Sequence, residues 1–290
     1  MKILTFDLEE WFHLLDVPSI KGPDTWRCYA PRFVDNTRRI IEMLERHDLK
    51  ATFYCLGWIA DQYPTLIREL SEKGHEIGCH SYSHTLAYQQ SPDEFRADLI
   101  KSMASISEAT GKPVESYRAP GFSVTENNLW VFDILCEVGI RYDSSIFPSD
   151  RAHGGILSFG VKKPCHISTL LGNKIIELPI NTTSILGREF VFSGGGYFRI
   201  LPYPVLKFLF GSKDYVMTYF HPRDFDPEQP VIPGLSLFRR FKSYVGLKGA
   251  SRKLSKLFGQ FKFVDSRTFI QASNVDEWAV VDLNEIKSCR

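Results

Sequence analysis

Apolar positions along the chain fall into short blocks separated by turn residues. Ile3 to Leu8 reads as a buried strand. Between Pro31 and His47, Phe33, Thr37, Ile40, Ile41 and Leu44 recur at helical spacing. Ala51 to Leu56 is strand-like. Pro64 to Lys73 predicts a helix with Pro at its start and Gly74 as its stop. His75 to Cys79 predicts a third strand. Ser91-Pro92-Asp93-Glu94 spells a capping box, and Gly111 closes the helix that it opens. Glu115 to Arg118 is a short strand, Thr125 to Val138 a helix ending at Gly139, and Ile140 to Tyr142 extended chain.

This alternation argues for a parallel sheet with helical crossovers in an α/β fold. A barrel and an open doubly wound sheet both satisfy it. The polar positions tip the choice. The runs 3–8, 75–79 and 115–118 are followed at once by Asp7 and Glu9, by His80 and His84, and by Arg118. Reactive residue types at the carboxyl ends of several strands suit a (β/α) barrel. After Asp150 the pattern loosens. Ser193 to Gly196 reads as a flexible turn, and Asp214 to Phe220 as a late strand ending in His221. The 290 residues suit one large α/β domain or two ordinary ones. We take them as one domain over 1–290, with 229–290 as its basic, helical C-terminal part.

Composition narrows the function. A formal net charge of +1 provides no global basic field, so nucleic acid is not an expected partner. The six cysteines (Cys28, Cys55, Cys79, Cys136, Cys165 and Cys289) are scattered and form no CxxC pair. Cys55 and Cys79 lie in apolar runs, as reduced core thiols do, which favours a reducing compartment. Asp7, Glu9 and Glu10 interrupt any apolar leader, and no apolar run approaches membrane-spanning length. The expectation is a cytoplasmic protein, at the inner face of the membrane if it is peripheral to one.

Four short segments carry the candidate chemistry. His80-Ser81-Tyr82-Ser83-His84 places two imidazoles four apart, a common metal-ligand spacing on a helical turn or in a tight loop; two surface histidines would look the same. Asp7 and Glu9 share one face of an extended chain at the end of a buried strand, where acids are costly unless paired or bound to a cation. Tyr117-Arg118-Ala119-Pro120-Gly121-Phe122 combines a permanent fork-shaped cation with a tight turn, or is an ordinary turn with a surface Arg. His221, after an apolar strand, has the residue type of an acid or base near neutral pH, although a lone His there is usually structural.

Together and in this order, these segments resemble the polysaccharide deacetylase, or NodB-homology, family, in a bacterial branch associated with surface and extracellular glycans. The matching pieces are Phe6-Asp7-Leu8-Glu9, His80 to His84, Arg118-Ala119-Pro120, Asp143-Ser144-Ser145 and His221, and the likeness runs from residue 3 to about 228. It implies a distorted (β/α) barrel, seven-stranded, with a C-terminal helical extension. It implies a metal-dependent hydrolase that removes an N-acetyl group from an amino sugar in a polymer, lipid-linked or nucleotide-linked glycan. His80 and His84 would bind one divalent metal ion, Zn first, with Ni, Co or Fe also suited. Asp7 would be the general base and Arg118 would hold it. His221 would be the general acid, Asp143 would orient His221 or Arg118, and the Gly121 N–H would help bind the oxyanion. The family's first motif has two adjacent Asp residues, and this chain departs from it. The third ligand falls to Glu9, which shares a strand face with Asp7, with Glu10 as the competitor. Trp11, beside the motif, could stack on a sugar or pack in the core.

Three other readings are carried forward. The same site could cleave another C–N bond, a formamide or a cyclic ureide or imide. Two His and one carboxylate also make the facial site of non-haem Fe(II) oxygenases, though those sit in antiparallel folds. An inactive glycan-binding module would keep the cleft alone. The stretch 229–264 contains no Asp or Glu, while Arg239, Arg240, Lys242, Lys248, Arg252, Lys253 and Lys256 accumulate among apolar residues. The larger weight goes to amphipathic helices packed on the barrel with a solvated basic face. The other reading is peripheral contact with an anionic membrane or with a lipid- or nucleotide-linked sugar. A second copy of the chain is a further candidate partner.

Overall fold

Parallel strands close around a core of Leu4, Phe6, Leu8, Phe53 and Cys55, each with no exposed surface. The computed structural model describes residues 1–290 except 16, 18, 19, 21, 150–152, 186, 187, 233, 289 and 290. The first stave, split at Leu4, is β1 (Lys2–Ile3) and β2 (Thr5–Leu8). In parallel beside it stand β3 (Thr52–Cys55), β4 (Glu76–Cys79), β5 (Ser116–Tyr117) and β6 (Tyr142–Asp143). Next come β7 (Cys165–Ser168) and β8 (Lys174–Glu177), an antiparallel pair in which β8 continues the parallel order from β6 and β7 turns outward. A small antiparallel pair follows, β9 (Thr183–Ile185) and β10 (Arg188–Phe190). β11 (Val216–Met217) then returns alongside β1, and a bridge between Phe6 and Phe220 extends that edge. With Lys2 to Leu8 counted once, this gives the seven staves that the family resemblance implies, among the described residues. No ladder joins β8 to β11 among them. Side chains span the gap instead. The Met217 N–H donates to Asn181 Oδ1 at 2.9 Å, and the Tyr215 hydroxyl donates to the Pro179 carbonyl at 2.7 Å. That seam is the distortion of the barrel.

The helices follow from local sequence. After the short α1 (Pro23–Trp26), α2 (Phe33–Arg46) buries Phe33, Thr37, Ile40, Ile41 and Leu44, the face that the spacing predicts. Each large apolar side chain among them contributes roughly 1.5–3 kcal/mol by leaving water. The short α3 (Gly57–Gln62) escapes sequence reading because it starts on a glycine and is followed at once by α4 (Pro64–Glu72). α5 (Pro92–Thr110) has both halves of the capping box, Ser91 and Glu94, and Gly111 ends it in the left-handed conformation. α6 (Val131–Glu137) is shorter than the expected 125–138. Asn128 Oδ1 accepts from the Thr125 N–H at 2.7 Å, so a side chain takes the place of the first helical turn.

The second half corrects one expectation. Ser193 to Gly196 is not a loose turn. Gly194 bridges to Tyr219, and a Cβ on it would lie 1.9 Å from the Tyr219 carbonyl oxygen, so the glycine permits a close backbone approach. α7 (Gly195–Ile200) and α8 (Tyr203–Gly211) follow directly. The described residues of 229–290 form four α-helices: α9 (Leu237–Tyr244), α10 (Leu247–Phe258), α11 (Ser266–Gln271) and α12 (Leu283–Ser288). They also contribute two strands that the pattern did not announce. β12 (Phe263–Val264) pairs with β1, and β13 (Val280–Asp282) pairs with β7. Among the described residues no helix is long and apolar enough to cross a membrane. Cys28, Cys55, Cys79, Cys136 and Cys165 are free thiols, and burial pushes Cys79 up to about 12; Cys289 lies outside the described residues.

Candidate active site

The site forms at the carboxyl ends of β2, β4, β5 and β11. β2 delivers Asp7 and, just beyond its end, Glu9. β4 ends at Cys79, and the loop His80 to His84 turns tightly: Ser81 and His84 both take left-handed backbone angles, φ 70° and 57°. Such angles cost on the order of 1 kcal/mol or more each for residues with a Cβ. Asp98 of α5 compensates. It accepts from the Tyr82 N–H at 2.7 Å and from the Ser83 hydroxyl at 3.0 Å, and the Ser81 hydroxyl accepts from the His84 N–H at 3.0 Å. The tight-loop geometry, not a helical turn, brings the two imidazoles together.

Glu9, His80 and His84 are buried, and their ligand atoms lie within 4.8 Å of one another. Glu9 Oε1 is 3.1 Å from His80 Nε2 and 2.9 Å from His84 Nε2. The tautomer of His80 follows from its other nitrogen. Nδ1 lies 2.7 Å from the Arg118 carbonyl oxygen, which can only accept, so Nδ1 carries the proton. In the neutral ring Nε2 then turns a lone pair toward the Glu9 carboxylate. Two acceptors face each other at hydrogen-bond distance. His84 Nε2 is also buried without an aligned hydrogen-bond partner. A cation among the three atoms resolves both conflicts, and the donor set fits a divalent ion of the zinc, nickel, cobalt or iron type. Burial opposes the Glu9 charge, but the neighbouring His84 and His221 hold its carboxyl well below the usual range.

Glu10 belongs elsewhere. Its Oε1 accepts from the Arg32 and Phe33 N–H groups, both at 3.0 Å, so it serves the amino end of α2. Trp11 is only 5% exposed; its indole N–H donates to the Ala30 carbonyl at 3.0 Å, and its ring packs edge-on to Phe12 and Tyr29. This corrects the sugar-stacking expectation for Trp11, because the ring is consumed by an aromatic cluster.

Asp7 and His221 flank the cluster. Arg118 is fully buried, donates from Nη1 to Asp7 Oδ1 at 2.7 Å and to Thr5 Oγ1 at 2.7 Å, and lies over the Tyr54 ring at 4.2 Å. Its other donors reach the Ser144 carbonyl and hydroxyl. Asp7 is thereby fixed by one oxygen, with Oδ2 3.9 Å from His221 Nε2. His221 keeps 22% of its side chain exposed and is the open face of the site.

Sequence reading left the partner of Asp143 open between His221 and Arg118, and Asp143 bonds directly to neither. It accepts from the Ser145 N–H at 2.8 Å and hydroxyl at 2.7 Å, and Ser145 Oγ in turn accepts from the Ala119 N–H at 2.8 Å. It braces the turn after Arg118. The partner of His221 is Asp224, which sequence reading missed. Asp224 Oδ2 lies 3.1 Å from His221 Nδ1 and accepts the His221 N–H at 2.9 Å, and Arg199 of α7 pairs with Oδ1 at 3.3 Å. Burial opposes charge on both partners. Even so, Arg199 and His221 draw Asp224 down to about 2, and Glu9, Asp224 and Asp7 raise His221 to about 9. The motif His221-Pro222-Arg223-Asp224 was visible, but Arg199 carries no local signal.

Gly121 has φ +61°, and a Cβ there would crowd Leu15 and Leu86 at 2.6 and 3.2 Å. Those two leucines line a cleft of about 340 Å³ with His84, His13 and Trp26, which adjoins the cluster. A larger groove of about 650 Å³ contains Glu115, Arg141 and Arg267 at the amino ends of β5 and β6 and none of these site residues, so the smaller one is the functional candidate. His13, also unflagged by the sequence, accepts the Glu10 N–H on Nδ1 at 3.2 Å and packs 4.0 Å from Trp26; burial, with the neighbouring His84, pushes it well down.

Two family models match the chain. Polysaccharide deacetylase covers residues 22–141, and a domain of unknown function (DUF3473) covers 144–271. The join falls at β6, which pairs with β5 from one range and β8 from the other. A peptidoglycan-N-acetylglucosamine deacetylase of Bacillus cereus is 33% identical over 93 residues, 32% of this chain and 34% of that protein. The chain therefore spans about a third of that relative's length. A crystal structure from Mycobacterium smegmatis, described as a polysaccharide deacetylase, superposes with a TM-score of 0.63 at 18% identity, over 96% of this chain and 91% of the other. The Puue allantoinase superposes at 0.54 with 14% identity, over 99% and 88%.

Proposed function

Because the chain belongs to the polysaccharide deacetylase family, we propose that it hydrolyses the N-acetyl group of an amino sugar in a surface glycan or its precursor, using one divalent metal ion held by Glu9, His80 and His84. The observation that carries this reading is the cluster of facing acceptor atoms, Glu9 Oε1 against His80 Nε2 and His84 Nε2, with Asp7 and His221 on its two flanks. We also read residues 1–290 as one functional unit, because strands from both matched ranges pair around the site.

When bound, a divalent ion supplies Lewis-acid chemistry, lowering the pKa of a water toward roughly 7 and polarising the acetyl carbonyl. The chain's own groups do the rest. Asp7 takes a proton from the attacking water, and the Arg118 bond to Oδ1 leaves Oδ2 toward the reacting centre. His221, held cationic by its carboxylate neighbours, presents Nε2 because Asp224 occupies Nδ1. It protonates the departing sugar amine, otherwise a poor leaving group; such proton transfer contributes about 10²–10⁴-fold. The turn at Gly121 supports the oxyanion side, braced from behind by Asp143 and Ser145.

The test is acetate release from N-acetylated glycans, peptidoglycan and chitooligosaccharides among them, by protein stripped of metal and then reloaded with Zn, Ni, Co or Fe. One equivalent of acetate per free amine, restored by metal, is expected. A loaded protein that releases none from any of these substrates ends the proposal. Glu9 in place of the family's second Asp keeps one other reaction in view, opening of a cyclic ureide or imide. Ring-opened product with no acetate would select it.

A further inference from the structure

α9 and α10 are both basic and amphipathic, yet they face opposite ways. α10 buries Leu247, Ala250, Leu254, Leu257 and Phe258. α9 buries none of its residues. Leu237, Phe238 and Phe241 share one face of α9 and are 86%, 74% and 56% exposed. The packed-inward expectation for 229–264 thus holds for α10 and is overturned for α9. What ties α9 down is polar. Arg199 donates to the Lys242 and Ser243 carbonyls, each at 2.9 Å, and the Tyr244 hydroxyl bonds both Pro230 and Ile232 of the preceding loop. On neighbouring α7, Tyr197 and Ile200 are each 47% exposed.

Charge identifies the occupant. The chain has 35 Lys and Arg against 34 Asp and Glu; residues 229–264 hold eight of the cations and none of the acids, which leaves net −7 on the rest. Arg239, Arg240 and Lys242 form the polar face of α9, beside its exposed apolar stripe. A second copy meeting this face through a two-fold axis would bring α9 against α9, with like charges opposed. An anionic lipid surface satisfies both faces at once, with the apolar side chains among the acyl chains and the cations at the headgroups.

We propose that α9, with the exposed side chains of α7, is an interfacial helix that docks the protein on an anionic phospholipid bilayer. The face lies beside the reaction site. Arg199 holds the last carbonyls of α9 and also pairs with Asp224, the partner of His221. The proposal stands on the surface itself and does not depend on the reaction assigned to the site.

Cosedimentation of the full chain with phosphatidylglycerol-containing vesicles tests it, against pure phosphatidylcholine vesicles, at ~0.1 M salt and again at ~0.5 M. Binding to the anionic vesicles that weakens with salt is expected. Phe238→Ser with Phe241→Ser should reduce it at least tenfold while leaving the melting temperature unchanged, since both side chains are exposed. Arg240→Glu, which keeps the apolar stripe, should weaken anionic binding several-fold and serves if the double variant misfolds. Absence of binding by the wild type, or equal binding by both variants, overturns the proposal. So does a wild-type dimer in sedimentation velocity that the double variant abolishes, because the face would then belong to a second copy.

Discussion

One flank of the site, Glu9 with His80 and His84, comes from the end of β2 and a five-residue loop after β4. The other, His221 with Asp224 and Arg199, comes from the end of β11, the turn Pro222–Phe225 and α7, with the carbonyls of α9 behind it. The first flank gathers acceptor atoms around one point, where we propose a cation. The second alternates charges, Arg199 to Asp224 to His221. The difference suggests that metal retention and proton delivery are separable, and substitutions can test that.

The largest effect is expected from His84→Ala. It removes one of the three proposed ligands, so the protein should lose its bound ion on dialysis. Acetate release should fall on the order of 10³-fold or more, since the water is no longer activated. Metal content by mass spectrometry and kcat/KM are the two readings. One ion per chain retained by the variant would mean that the first flank is not the metal site.

Asp224→Asn should leave metal content unchanged and lower kcat by about 10²-fold, because the imidazolium loses the carboxylate that orients and charges it. A readout that a merely structural role would not move is leaving-group dependence. With an aryl acetate, whose leaving group needs no proton, the same variant should lose less than about tenfold. Equal losses on both substrates, or loss of metal with Asp224, would show the two flanks to be one cooperative unit.

The same contrast explains what the sequence reveals. Glu9, His80 and His84 were legible because strand alternation and a tight loop are local, and each residue stands next to a recognisable apolar run. The choice between Glu9 and Glu10 rested on strand parity, and the position of Glu10 over the amino end of α2 fits it. Arg118 and Asp7 were legible as residue types, but their ion pair spans 111 positions. Arg199 was not legible at all. It reads as an ordinary cation on a short helix until the chain folds and places it on Asp224. Trp11 misled because an aromatic residue beside an acidic motif has the same appearance in a sugar site and in a core. α9 misled for a related reason: amphipathic spacing gives the angle between the apolar and basic faces but not which of them meets the protein.

A third pair, Asp143 and Glu177, sits behind both flanks on the neighbouring strands β6 and β8. Its Glu177 half should affect stability and leave chemistry alone. Burial pushes the Glu177 carboxyl well up, and the Asp143 charge adds to it. A raised folded-state pKa means that the stabilising share of this group is fully present below the unfolded value of about 4.3 and is lost as pH rises toward the folded value. Glu177→Gln has no such loss, and its amide oxygen can still accept the Ile146 N–H that Glu177 Oε1 accepts at 3.1 Å. The variant should melt above the wild type at pH 8, with a gap that grows from pH 5 by up to about 1.4 kcal/mol per pH unit. A gap that narrows over that range would reverse the assigned sign.

The smallest effect sharpens the comparison most. Glu10 adjoins Glu9 in the chain but faces the amino end of α2, where its carboxylate meets two N–H groups and the positive end of the helix. Glu10→Gln keeps an acceptor oxygen there and loses only the charge, so the cost should be about 0.5–1 kcal/mol, read as a small drop in melting temperature. Metal content and acetate release should stay within about twofold of the wild type, as for a substitution away from the reacting groups. Glu9→Gln, one residue earlier and equally conservative, should release the ion, because an amide oxygen lacks the charge that balances it between two imidazoles. If the two outcomes were exchanged, the third ligand would be Glu10, and the carboxylate between His80 and His84 in this structure would have to leave before metal could bind.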